Sequence, residues 1–179
     1  MNWSSTLRRV ARVAYGVAMD ASRQSQRQST KPHKPRNAAP AGKGSDYPGD
    51  YNGTLRPEYA PVDDDLPDPG EIVWSWVPYE EDYSQGKDRP VLVIARENSD
   101  WLLALQLTSK DHDQDAAQEA RAGRFWTDIG SGDWDEQRRP SEVRVNRILR
   151  IEPTGVRRIG AVLSRDVFND VAREVAKHN

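Results

Sequence analysis

Hydrophobic and polar positions divide the chain into three stretches with different periods. Over residues 4–23, Leu7, Val10, Val13, Val17 and Ala21 recur at spacings of three and four, with Arg8, Arg9, Arg12 and Arg23 opposite. That is one stripe of a 3.6-residue period and predicts an amphipathic helix over residues 1–23. From 24 to 68 the period disappears. Eight of the twelve prolines fall between 24 and 69, and Leu55, Val62 and Leu66 are the only aliphatic residues there larger than alanine. Such a segment buries too little to offset its ordering entropy, so a disordered or extended linker is predicted.

Residues 69–179 carry the core. Glu71–Val77 alternates, with Ile72, Trp74 and Trp76 on one face. Pro90–Ala95 (PVLVIA) is apolar throughout, as in a central strand covered on both faces. The polar sequence ENSD (97–100) turns the chain into a strand over 101–109, where Leu103, Leu105 and Leu107 share a face and Gln106 and Thr108 the other. Residues 111–123 read as a loop or short helix. Further strands are predicted at 125–129 and 141–151, the latter with Val143 and Val145 inward and Glu142, Arg144 and Asn146 outward. A closing helix spans 164–177, capped by Ser164 and striped by Val167, Phe168, Val171 and Val175. About five short strands and one helix, without βαβ spacing, predict a mainly β fold: a small curved barrel with a C-terminal helix.

Composition narrows the chemistry. The absence of cysteine excludes disulfides, thiolate metal sites and a cysteine nucleophile. It fits a reducing compartment, and with no apolar leader-like run near the start a cytoplasmic location is expected. The formal net charge of -2 hides an asymmetry: residues 1–45 hold nine Lys or Arg and one acid, and the remainder is acidic. A basic arm on an acidic body suits a polyanion or a membrane surface, the latter through residues 4–23; it equally suits a solubilising tail. No glycine-rich phosphate loop or nucleophile elbow occurs, and Asp111-His112-Asp113 lacks the further ligands a metal site needs.

Three features carry candidate chemistry, each with two open readings. Arg89 sits where a polar loop meets Pro90 and a buried strand. It is either a rigidly mounted phosphate-binding cation or a surface arginine paired with Glu80, Glu81, Asp82 or Asp88. Thr108, Ser109 and Lys110 end the next strand, as phosphate donors or as a strand-ending turn. Between 138 and 158 lie seven arginines and two acids, a nucleic-acid footprint or a rim of ion pairs.

Taken in order, PGEIVW (69–74), QGKDRPVLVI (85–94) and LTS (107–109) resemble the PemK/MazF-like toxins of type II toxin–antitoxin systems, with WTDIG and RPSEVRVNRILRIEP pointing to an actinobacterial PemK-like branch. The resemblance implies an SH3-like β-barrel, a homodimer, a cognate antitoxin, no cofactor or metal, and cleavage of single-stranded RNA by attack of its own 2′-OH to leave a 2′,3′-cyclic phosphate. It assigns Arg89, Thr108 and Ser109 to catalysis. Ser84, Gln85, Lys110, His112, Arg144, Asn146 and Arg147 go to substrate binding. Arg144 matches the first position of the PemK pattern Arg-x-Asp, whose third position is here Asn146, which takes no proton. Proton acceptance then falls to Asp111, His112, Glu81 or Asp82, or the barrel acts without a dedicated base, or it is a non-catalytic module that binds RNA or protein.

Overall fold

The computed structural model describes residues 47–110 and 116–179. The helix predicted within 1–23, its membrane contact and residues 111–115, with His112, lie outside them. Six strands form one antiparallel sheet: β1 Glu71–Pro78, β2 Gly86–Arg96, β3 Leu102–Thr108, β4 Trp126–Gly130, β5 Ser141–Ile151 and β6 Arg158–Val162. Their spatial order is β4-β5-β3-β2-β1-β6. A short helix α1, Ala116–Arg121, precedes β4; a 3-10 turn, Pro153–Gly155, follows β5; and α2, Arg165–His178, closes the chain. Among the described residues no helix is long and apolar enough to cross a membrane.

The period-2 pattern of β2 explains the layering. Leu92 and Ile94 join Ile72, Leu103, Leu105, Leu107, Val143, Val145 and Ile148 on the face that α2 covers with Phe168, Val171 and Val175. Each such buried side chain contributes roughly 1.5–3 kcal/mol. Val91 and Val93 point the other way, into a second cluster with Val73, Val77, Leu102, Ala104, Leu149 and Ile151. The sheet curls around this second face. The clearest sign is a bond from Arg147 of β5 to the Pro78 carbonyl at the end of β1, 3.0 Å, although β3 and β2 separate those strands in the sheet. The mainly β fold with a C-terminal helix is therefore as expected, and Ser164 caps α2 by accepting the Val167 N–H.

Three expectations change. First, β6 has no sequence counterpart: it is short, and Gly160 interrupts it. A Cβ there would lie 3.0 Å from the Ile72 carbonyl oxygen and 3.3 Å from Trp134, so glycine lets β6 close on β1. Second, residues 47–68 form no helix or strand, yet they are not a free linker. Tyr51 N–H donates to the Ile148 carbonyl and Glu58 N–H to that of Ile94, and Tyr51, Leu55 and Tyr59 pack on the larger core. The Tyr59 ring meets Phe168 edge-on, and its hydroxyl donates to the Leu163 carbonyl at 2.8 Å. Third, of the residues expected outward on β5, Glu142 and Arg144 are buried and Asn146 is half-buried, and Arg147 is buried too. In a curled sheet the second face is an interior; Glu142 and Arg144 stand opposite the core residues Val143 and Val145, and an irregularity between 143 and 148 shifts the phase of β5 so that Arg147 is buried as well.

Glu71, at the start of β1, is only 2% exposed, and its carboxylate accepts the Asp68 N–H at 3.0 Å. Burial, followed by the nearby acids Asp68, Asp64 and Asp63, pushes it up to about 7 from an ordinary 4.5. The folded state then holds a proton that the unfolded chain has released. Stability from this group falls as pH rises from about 4.5 through 7 and levels off above. Glu71→Gln, which keeps the acceptor, is expected to gain roughly 2–3 kcal/mol on the parent between pH 5 and pH 8, read by urea unfolding at both values. Parallel pH curves for the two proteins would refute this.

Candidate active site

The polar end of the curled face starts from the β2–β3 ladder. Its last pair is Val91 with Gln106, beside Pro90, which has no N–H to extend it. Counting two residues outward on each strand reaches Arg89 and Thr108. Both keep the period of Val91 and Gln106, so both belong to the curled face. On its other side Arg89 pairs with the buried Ser75 of β1. Gly86 lets this hairpin close: a Cβ there would meet the Val77 carbonyl at 2.4 Å and the Trp76 indole at 2.6 Å.

Arg89 is half-buried and, among the described residues, its guanidinium makes no hydrogen bond or ion pair. The arginines between 138 and 157 do. Arg138 pairs with Asp133, Arg139 with Asp135, Arg144 with Glu80, Arg147 with Asp50, Arg150 with Glu97 and Arg157 with Asp88. The local excess of arginines between 138 and 158 is thus mostly answered by acids from elsewhere in the chain, and a broad basic footprint is not what those residues form. None of the four acids suggested for Arg89 holds it. Asp88 is taken by Arg157. Asp82 accepts from Ser84 N and Oγ at 2.9 and 2.6 Å and from Gln85 Nε2 at 2.6 Å, contacts that hold its carboxyl below the usual range. Ser84 and Gln85 therefore shape the β1–β2 loop, and no contact brings them to Arg89.

Thr108 makes the turn that one of its two readings expected. Its Oγ1 accepts the Lys110 N–H at 3.1 Å, a strand-ending turn. The hydroxyl hydrogen stays available to donate. Ser109 and Lys110 follow, both exposed.

On β5 the register against β3 slips by three residues: Leu105 faces Ile148 while Leu107 faces Val143. Four residues of β5, 144–147, thus stand opposite the single Gln106 and bulge at the polar end. Arg144, its side chain 6% exposed, makes a two-pronged pair with Glu80 at 2.8 and 3.0 Å. Asn146 is a staple: Oδ1 accepts the Phe125 N–H at 3.2 Å and Nδ2 donates to the Gly123 carbonyl at 2.6 Å. That task needs a donor and an acceptor on one side chain, which an aspartate lacks. Arg147 is fully engaged by Asp50, at 2.8 and 3.3 Å, and by Pro78. Glu80 pairs with Arg144 and not, as one reading of the sequence had it, with Arg89. It entered only as a partner for Arg89, and nothing local in the YEED run points 64 positions onward to Arg144.

Residues 68–178 match the family described as the PemK-like, MazF-like toxin of type II toxin-antitoxin system. The chain belongs to this family. Among solved structures, this PemK/MazF-like toxin is similar to an endoribonuclease in complex with its cognate antitoxin from a mycobacterial species. That likeness has 14% identity over 63% of this chain and 93% of that one, with a TM-score of 0.45. It is also similar to the MazE–MazF complex of Deinococcus radiodurans, with 18% identity over 64% of this chain and 96% of that one, TM-score 0.44. No curated protein matches the toxin.

Proposed function

We propose that this PemK/MazF-like toxin is a sequence-selective endoribonuclease that cuts single-stranded RNA without a metal ion. In the proposed step the 2′-oxygen attacks the adjacent phosphorus, the 5′-oxygen leaves, and a 2′,3′-cyclic phosphate and a 5′-hydroxyl result. The observation that carries the reading is the Arg89 guanidinium, without an ionic partner among the described residues, two residues beyond Val91 on β2 as Thr108 is two beyond Gln106 on the adjoining strand. A half-desolvated cation with fixed donors beside it is suited to a phosphodiester whose charge grows in the transition state. Arg89 stabilises that charge; as an always-protonated guanidinium it is no base. Thr108 and Ser109 donate to the non-bridging oxygens, and Lys110 adds charge at the rim. A cognate antitoxin that covers this groove, a homodimer and a cytoplasmic site of action complete the proposal.

The test is incubation of the full chain with single-stranded RNA in EDTA, followed by analysis of product ends. Cyclic phosphate and 5′-hydroxyl ends are expected. A strict need for divalent metal, or 5′-phosphate ends, would sink the reading.

A further inference from the structure

We infer that Glu80, held against Arg144, is the proton-accepting carboxylate of the cleavage site. The inference rests on the nuclease reading above and supplies the group which that reading leaves unassigned. The natural candidate on β5, position 146, is an amide committed at both ends to the backbone of Phe125 and Gly123. The acids of the β1–β2 hairpin are differently placed: Asp82 is bound within its own loop and Asp88 is paired with Arg157. Among the described acids of this hairpin, Glu80 is the one whose contact reaches across the curled face, from the residue pair after β1 to β5. Arg89 and Thr108 lie on the two strands that separate those elements in the sheet.

The ion pair is also lopsided in a useful way. The Arg144 side chain is 6% exposed and the Glu80 side chain 50%, so the cation is buried and the carboxylate is open to solvent. A two-pronged contact uses one lone pair on each carboxylate oxygen and leaves the other free to accept. The groups facing Glu80 are Arg144 and Arg147 of β5 and Arg124 before β4, all cationic. Arg144 foremost holds the carboxyl below its ordinary range and thus ionised at neutral pH. The step balances. The O2′–H bond breaks and its proton goes to a Glu80 oxygen. The O2′ electron pair forms the new O–P bond, and the P–O5′ bond breaks. The leaving O5′ takes a proton from water while Glu80 returns its own to solvent.

The experiment measures kcat, KM and the pH–rate profile of the full chain on a single-stranded RNA oligonucleotide in EDTA. The parent, Glu80→Gln, Glu80→Asp and Glu80→Ala with and without formate are compared. Glu80→Gln is expected to lower kcat about 100-fold with KM within about threefold, and to remove the acid limb of the profile. Glu80→Asp keeps the charge that Arg144 needs and withdraws it by one methylene; it should retain the acid limb at a reduced kcat, even if the amide variant folds poorly. Formate should partly restore Glu80→Ala. A Glu80→Gln kcat within threefold of the parent, a loss confined to KM, or an unchanged acid limb would overturn the inference while leaving the nuclease reading intact. A parent that does not cut RNA would overturn both.

Discussion

Arg89→Ala is expected to lower kcat/KM for RNA cleavage by about two to three orders of magnitude while leaving unfolding nearly unchanged. The two halves of that expectation share one cause. Among the described residues the guanidinium has no hydrogen-bond or ionic partner, so its removal orphans nothing in the fold. In the transition state the same group meets a phosphorane with extra negative charge in a partly desolvated groove, where a charge-assisted contact is strong. Arg89→Lys keeps the charge but loses the planar fork and is expected to recover only part of the rate. Arg139→Ala is the matched control: that arginine is paired on the surface with Asp135, and its loss should leave cleavage alone. The readout is initial rate on RNA in EDTA beside a urea titration. Parental rates for Arg89→Ala would remove the mechanism. Lost activity together with a large fall in stability would show that Arg89 holds the fold and not the substrate.

What the sequence makes legible follows from how local each signal is. β5 and α2 begin and end close to where periodicity puts them, because long amphipathic runs and a serine cap are encoded within a few residues. The PVLVI run announces a strand buried on both sides, and β2 is one. Orientation on β5 misleads, since an alternating strand does not say whether its polar face meets water or the inside of a curl. The three-residue slip at 144–147 depends on the neighbouring strand, as does the staple made by Asn146. The Glu80–Arg144 pair spans 64 positions and is invisible to any local rule. Thr108 is the reverse case, since it keeps the phase of Gln106 opposite Leu103, Leu105 and Leu107, whereas the uniformly apolar run after Arg89 has no phase and the face of Arg89 comes from the pairing of Val91 with Gln106.

Residues 47–68 give the other large effect, and here a polar residue inside a proline-rich stretch decides it. Asp50 receives the Arg147 guanidinium, whose side chain is only 5% exposed and has a single further partner, the Pro78 carbonyl. The Tyr47 hydroxyl donates to the same carboxylate at 2.6 Å, and burial together with that neighbour pushes the phenol upward. Asp50→Ala leaves Arg147 charged, buried and uncompensated. The expected loss is about 3–5 kcal/mol, much more than an exposed pair gives. Asp50→Ala combined with Arg147→Met should recover most of it, because the cost lies in the orphaned charge and not in the absent contact. A chain that begins at residue 69 loses Asp50 and also uncovers the core against which Tyr51, Leu55 and Tyr59 pack. It should therefore be less stable than Asp50→Ala, whereas a chain that begins at residue 47 keeps these contacts. Urea midpoints for the four proteins provide the measurement. If the chain starting at 69 unfolds at the same midpoint as the chain starting at 47, residues 47–68 are only a tether, and the buried arginine is neutralised by something other than Asp50.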